Sequence, residues 1–430
     1  MLFHIVALVA LGIVAVLLFL VLFEPPLRYE VAPPPLSLDS DEFLCLLGAL
    51  ADAQVHRQSA VEVLSGGEVF YPAELEAIRA ARRSVHIEAF LFTPGGITDR
   101  FLEALTERAR AGVRVRLVLD AIGCFHTPNR YFRGLCAAGG EVFWYQPIRW
   151  YTLKRVNNRT HRELIVIDGE VGFIGGAGIA PHWLGGEKGE RPWHDMMCRV
   201  RGPLVGGLQT TFAENWLESS DQVLDGSDNF PRCLAPDSTA GHEAAGQVNG
   251  MVVISTPTAA RSTRARVVFQ VLLASARKSI LINSPYFLPD RSARKELIGA
   301  VKRGVKVTVI TPGQANNHPL ARVTSRRLYG QLLRAGAEIF EYQPGMIHKK
   351  AMVVDGVWVV VGSTNFDARS FGLNDEVNLA AIDADLAARL ERDFEAEKSQ
   401  SRQITYEQWR RRPVFEKLLS LPGLLIQRQA

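Results

Sequence analysis

The chain is poor in several features that would settle its class at once. Its five cysteines (Cys45, Cys124, Cys136, Cys198 and Cys233) are odd in number, scattered, and include no CxxC pair. That excludes a zinc ribbon and supplies no disulfide framework, leaving buried reduced thiols as the plain reading. Charge of one sign is scarce too: 49 Lys and Arg against 45 Asp and Glu leave a formal net charge of +4. No global basicity marks a nucleic-acid binder, and no basic stripe with interleaved aromatics is present. The slight excess suits an anionic surface or a phosphate-bearing substrate. Finally, no Lys or Arg precedes the first apolar run, so the basic n-region of a secretory signal is missing.

What is present begins with that run. Ile5 to Phe23 is uninterrupted apolar sequence, enough to span about 28 Å as a helix. It ends in Glu24-Pro25-Pro26 without small residues at a cleavage point, so it reads as a retained single-pass anchor over residues 1–23. A proline-rich spacer follows over 24–40. Arg28 is the only flanking cation, which mildly favours a body on the cytoplasmic side of a cell (inner) membrane.

The remainder, with 47% apolar and 22% charged residues over the whole chain, has a globular balance, and it repeats itself. ARRSVHIEAFLF (81–92) matches ARKSILINSPYF (276–287), ARAGVRVRLVLD (109–120) matches VKRGVKVTVITP (301–312), and GGEVFWYQP (139–147) matches GAEIFEYQP (336–344). Short β-branched runs alternate with helical stretches such as FLEALTERARAG. That alternation predicts α/β halves, each a mixed, mostly parallel sheet flanked by helices. The expected division is a first lobe over 41–218, a polar connection over 219–249, a second lobe over 250–400, and a basic, apolar C-terminal segment over 401–430. That last segment is either a solvated cap on the second half or a membrane-surface element.

Each half ends in a similar motif, HRELIVID at 161–168 and HKKAMVVD at 348–355. In extended chain, side chains alternate, so His348 and Lys350 share a face while Lys349 points away. An imidazole and an ammonium then stand side by side. Gly362-Ser363-Thr364-Asn365 follows, with a hydroxyl and an amide; together these make a cradle for one phosphate diester, with Lys350, Ser363 and Asn365 as the phosphate-binding set. If the halves pack about a pseudo-two-fold axis, His161 faces His348. One imidazole can attack phosphorus while the other protonates the leaving alcohol, with no metal or cofactor. Such a pair needs acids on the far ring nitrogens, and Asp195 and Glu376 are the candidates.

These residues resemble the phospholipase D superfamily, whose mark is a paired HxKxxxxD motif followed by GSxN or GGxN. The resemblance runs from about residue 60 to 400 and is strongest to the bacterial cardiolipin synthase-like branch, through NNRTHRELIVIDGEVGFIGG and STNFDARSFGLNDEVNL. It implies two lobes sharing one site and a phosphohistidine intermediate. The implied activity is transfer of a phosphatidyl group from a phosphatidylglycerol-like lipid to an alcohol at the membrane. The motif aspartates Asp168 and Asp355 join the catalytic set. Hydrolysis and nuclease activity on the same scaffold are the neighbouring alternatives.

The first motif departs from the pattern twice. Glu163 stands where the family has Lys, and Gly178 where GGxN has Asn. A unit charge about 5 Å from a phosphate at an effective dielectric of about 20 is worth roughly 3 kcal/mol, and Lys to Glu swings the site by about twice that. Three readings of Glu163 follow: it pairs with Lys350 and quenches the site, leaving a lipid-binding paralogue; a nearby cation such as Arg159 pairs with it; or it contacts a substrate hydroxyl. Two further histidines, His182 and His194, read as surface residues. Trp150, Tyr151, Lys154 and Arg155 lie in an insert absent from the second half, able to engage lipid headgroups.

Overall fold

The computed structural model describes residues 2–22, 30–150, 157–185, 191–226, 229–230, 247–257 and 263–417. Tyr151, Lys154, Arg155, Cys233, most of the expected inter-lobe connection and the end of the C-terminal segment lie outside the described residues.

The two β-rich halves form one continuous sheet rather than two separate ones. In the first half, strands Ser84–Ala89, Arg114–Asp120 and Glu141–Tyr145 run parallel, as the βαβ pattern predicts. In the second, Ser279–Asn283, Lys306–Pro312 and Glu338–Tyr342 do the same. The expectation of a mostly parallel sheet nevertheless fails: most pairings are antiparallel. Each histidine motif continues into a hairpin, Leu164–Ile167 with Val171–Gly175 and Ala351–Val354 with Trp358–Gly362. The seam is antiparallel as well, with His56–Ser65 joined to both Met196–Arg201 and Val248–Ser255. Buried on both faces, these strands read as continuous apolar runs, from which direction cannot be inferred.

Each hairpin turns through an Asp-Gly pair. Asp168 and Gly169 have φ of 55° and 65°, and Asp355 and Gly356 have 56° and 68°. Asp tolerates the left-handed region and Gly enters it freely, so the pair fixes the turn.

Three large apolar cores organise the packing of the described residues, beside a smaller one around Ile310, Phe340 and Phe394. One belongs to the first half, around Phe70, Leu75, Phe101 and Leu117. A second, around Leu272, Ile280 and Val309, also takes in Phe43, Leu44 and Leu47 of helix Asp41–Ala51. Phe43 meets Trp358 edge to face at 5.7 Å, so this N-terminal helix packs on the second half. The third core joins side chains of both halves, Leu164, Phe212 and Trp216 with Val252, Val359 and Leu390. Strand Ser401–Gln403 pairs with Glu338–Tyr342 and extends the second half's sheet beyond residue 400.

The N-terminal helix covers Leu2–Leu22. Its described side chains, residues 4–14 and 16, are all exposed. Among the described residues, no helix is long and apolar enough to cross a membrane, so the expected transmembrane span is not established by the fold.

Candidate active site

Parallel strands of both halves end on one side of the sheet, where α/β folds place their ligands. A cavity of about 690 Å³ opens there, lined by residues of both halves, among them His161, Glu163, Trp193, Tyr286, His348 and Asn365. The two motif histidines are therefore brought together.

Their support crosses between halves. His348 Nδ1 lies 2.8 Å from Asp195 Oδ2, and His161 Nδ1 lies 3.1 Å from Glu376 Oε2. The backbone repeats the exchange. His348 N–H donates to His194 O at 2.7 Å, and His161 N–H donates to Asp375 O at 2.9 Å. In each case the acceptor immediately precedes the acid that holds the ring, so one extended segment fixes both main chain and imidazole. An acidic acceptor on Nδ1 requires the proton there, which turns the Nε2 lone pair toward the phosphate position.

Lys350 lies beside His348, with Nζ 2.7 Å from Nδ1, 3.2 Å from Nε2 and 4.0 Å from Asp195 Oδ2. Its reach into the first half is possible because residue 176 is glycine; a Cβ there would come within 2.9 Å of the Lys350 Nζ. Burial lowers the Lys350 pKa to about 8, against the pull of Asp195, Glu376 and Glu163. Burial and then the Lys350 charge push His348 down to about 4, so its imidazole is neutral at physiological pH. Burial alone would raise the Asp195 carboxyl, but the Lys350 charge and the His348 hydrogen bond hold it below the usual range.

The alternation reading holds for the middle residues of the motifs. Arg162 turns away and donates to Glu214 at 2.6 Å, and Lys349 turns away and donates to Glu397 at 2.8 Å. The Lys349 pair is buried, whereas Arg162 is buried against a Glu214 that reaches solvent.

Other expected site residues fall elsewhere. Asp168 accepts from the backbone N–H groups of Arg82, Arg83 and Ser84 at 2.7–2.9 Å, and Asp355 from those of Arg277, Lys278 and Ser279 at 2.7–2.9 Å. They sit at the far end of their strands from the histidines and do not line the cavity. They tie a hairpin to a neighbouring strand, away from the histidines. Ser363 is also withdrawn from phosphate: its Oγ donates to Glu376 and accepts from Val377 N–H at 3.0 Å. It supports the acid behind His161. Asn365 does line the cavity, and its Oδ1 has no hydrogen-bond partner among the described residues.

Arg159 does not neutralise Glu163. It faces Asp120, Nη1 to Oδ1 at 3.5 Å, and donates to Gln146 O at 2.9 Å. Glu163 forms no ion pair with Lys350 either. Its Oε1 accepts from the backbone N–H groups of Phe90 at 3.2 Å and Leu91 at 3.3 Å. Burial pushes its pKa well above the usual carboxylate range, against those hydrogen bonds and the Lys350 charge.

His182 is not a surface residue: it lines the cavity and stacks on Trp193 with ring centroids 4.9 Å apart. Matching GGAGIAPHW to GSTNFDARS sets it opposite Arg369, a signal that was available in the repeat. His194 pairs with Glu397 at 2.9 Å. Asp367, which sequence reasoning missed, is raised by burial to about 7 and shares the cavity wall with Arg369.

A family model described as the cardiolipin synthase, PLD-like domain matches residues 75–201 and again 270–398. A cardiolipin synthase of Oceanobacillus iheyensis is 32% identical over 380 residues, covering 88% of this chain and 76% of that protein. Cardiolipin synthase A of Pseudomonas aeruginosa is 34% identical over 349 residues, covering 81% and 68%. Among solved structures, a phosphatidylserine synthase of Haemophilus influenzae superposes with a TM-score of 0.69 at 16% identity, covering 89% of this chain and 98% of that one. At that identity the likeness speaks for the fold alone.

Proposed function

Since the chain belongs to the cardiolipin synthase family of phospholipase D-like proteins, we propose that it is a phosphatidyltransferase moving a phosphatidyl group through a phosphohistidine. The observation that carries the reading is the exchange of acids: Asp195 holds His348, Glu376 holds His161, and both rings reach one cavity.

His348 is the nucleophile of this scheme. Neutral, with Nδ1–H on Asp195, it attacks phosphorus through Nε2 and forms a P–N bond. The P–O bond to the departing headgroup breaks, and His161 gives that oxygen its proton. An alcohol then binds, His161 takes its proton, its oxygen bonds to phosphorus, and the P–N bond breaks. Lys350 and Asn365 hold the phosphate oxygens. Cardiolipin synthase relatives support a phosphatidylglycerol-like donor. The complete second half-site favours a working enzyme over an inactive lipid-binding paralogue.

Membrane attachment belongs to the same proposal. The helix Leu2–Leu22 contains no Asp, Glu, Lys or Arg, and its described side chains are exposed. Exposed apolar residues also gather at the cavity mouth. Ile122 and Leu320 line it from opposite halves, and Phe125, on the Ile122 turn, is 74% exposed. The adjoining loop carries Ile148 and Trp150, the latter 85% exposed. The division proposed with this reading is an anchor over 1–23, a linker over 24–40, lobes over 41–218 and 250–400, a connection over 219–249, and a C-terminal segment over 401–430.

Quenching the full-length protein during turnover of phosphatidylglycerol with denaturant at mildly alkaline pH, where a histidine P–N bond survives, followed by peptide mapping at the same pH, tests the scheme. The expected adduct is a phosphatidyl group on His348, absent from His348→Ala and both formed and discharged slowly in His161→Ala, which lacks the acid of the first step and the base of the second. Turnover by His348→Ala at the wild-type rate would overturn it.

A further inference from the structure

The two departures in the first motif are one structural change. A Cβ added at Gly178 would lie 2.9 Å from Glu163 Oε1, as well as 2.6 Å from Leu91 O and 2.8 Å from Leu91 Cβ. A side chain at 178 would thus crowd the Glu163 carboxyl as well as Leu91, so the first half carries its carboxyl from 163 where an amide at 178 has no room. In the second half the corresponding position carries Asn365, whose amide faces the cavity. Glu163 does not extend as Lys350 does, across to the opposite half. It folds back on its own half, where Phe90 and Leu91 N–H groups hold Oε1. Among the described residues Oε2 forms no hydrogen bond, and the residue lines the cavity.

We propose that the Glu163 carboxyl replaces the missing amide rather than the missing lysine: uncharged, it keeps Oε1 on the two backbone N–H groups and donates from Oε2 to a phosphate oxygen. A carboxylic acid and a carboxamide have nearly the same shape, and each offers a carbonyl acceptor and a donor. Two backbone donors on Oε1 leave Oε2 as the hydroxyl. The charged and titratable groups around it are Lys350, Asp195, Tyr71 and Cys124. The Leu91 and Phe90 N–H groups and the Lys350 charge favour the carboxylate; burial, the largest effect, and Asp195 disfavour it. A bound phosphate diester adds negative charge and reinforces the neutral form. On this view the site keeps an amide-like donor from each half, Asn365 and Glu163, and one motif cation, Lys350. This assignment rests on the phosphodiester reading of the cavity.

The test compares Glu163→Gln, Glu163→Leu and Glu163→Ala/Gly178→Asn in the full-length protein in mixed micelles containing phosphatidylglycerol. Gln supplies an amide at the carboxyl's place, so its KM should stay within about threefold of wild type near neutral pH. Leu keeps the bulk without the donor and should raise KM about tenfold. The double variant tests position 178 as the amide's source: a Cβ there still meets Leu91 O at 2.6 Å once Glu163 is shortened, so it should be no better than Leu. A second reading needs no turnover: thermal stabilisation by inorganic phosphate should persist in Gln and be lost in Leu. If Leu matches wild type in both measurements, or Gln is as poor as Leu, the assignment is wrong. Absence of phosphatidylglycerol turnover in wild type with the phosphate-stabilisation pattern intact would sink the transferase reading and leave this one standing.

Discussion

Asp195 and His348 are 153 residues apart in the chain and 2.8 Å apart in the fold, and they belong to different halves. Glu376 and His161 make the reciprocal pair across 215 residues. Neither half contains a complete histidine–acid couple, so the site exists only when the halves are joined. Asp195→Asn keeps the size but removes the charge that fixes the tautomer and supports an imidazolium. By analogy with other histidine–carboxylate couples, kcat should fall at least about a hundredfold. Combining Asp195→Asn with His348→Ala should add little to the loss from His348→Ala alone, because the acid acts through the ring. Independent, additive losses would refute the coupling. Glu376→Gln should show the same dependence on His161.

Lys350 is the one motif cation of the paired site, and its charged form is the one that binds phosphate. With its pKa lowered to about 8, that form is present below pH 8 and lost above it. The expected kcat/KM therefore falls on the alkaline side with an apparent pKa near 8. Lys350→Met should remove that limb and cost roughly a hundredfold in rate, corresponding to about 3 kcal/mol. A full-length Lys350→Met protein that retains most of its activity would show that the phosphate is held elsewhere.

Much of this was legible before any coordinates. The internal repeat places two histidines in matching positions, and alternation in extended chain correctly turns Arg162 and Lys349 away from the site. The same alternation, carried to the end of each motif, also puts Asp168 and Asp355 off the histidine face, and Asp-Gly announces a turn. Membership in a motif outweighed that signal. The pairing of acids was not legible, because spacing along the chain says nothing about which half an acid faces. Nor was strand direction: the central strands are buried on both faces, and their apolar runs are the same for either direction. The role proposed for Glu163 rests on the close packing around Gly178, which only the fold reveals.

Asp168 and Asp355 give a direct contrast between motif and geometry. Each carboxylate collects three backbone N–H groups at the start of a neighbouring strand. Removing the acceptor leaves those donors short of a partner and costs about 1–3 kcal/mol, and a side chain poorly suited to positive φ adds strain. Asp355→Ala should therefore lower Tm by several degrees while the protein that remains folded keeps its KM for phosphatidylglycerol. A loss of kcat with Tm unchanged would return Asp355 to the chemistry.

The cavity mouth offers a prediction about how substrate arrives. A diacyl lipid cannot bring its phosphate to His348 unless the mouth meets the bilayer surface; Ile122 and Leu320 line that mouth, and Phe125, on the Ile122 turn, and Ile148 and Trp150, after strand Glu141–Tyr145, are exposed apolar residues. Burying one such aromatic side chain in the interfacial region is worth about 1.5–2 kcal/mol, or roughly tenfold to thirtyfold in affinity. Phe125→Ser lies outside the histidine–acid network, so its effect should depend on the form of the substrate. With phosphatidylglycerol presented in vesicles or mixed micelles, the concentration needed for half-maximal rate should rise about tenfold. With a short-chain phosphatidylglycerol dissolved as monomers, the rate should be close to that of wild type, since no surface has to be engaged. Trp150→Ser should behave in the same way, and quenching of Trp150 fluorescence by brominated lipid should be weakened by Phe125→Ser. Equal losses on monomeric and aggregated substrate would mean that these residues shape the cavity instead of docking it, and no loss on either would remove them from function altogether.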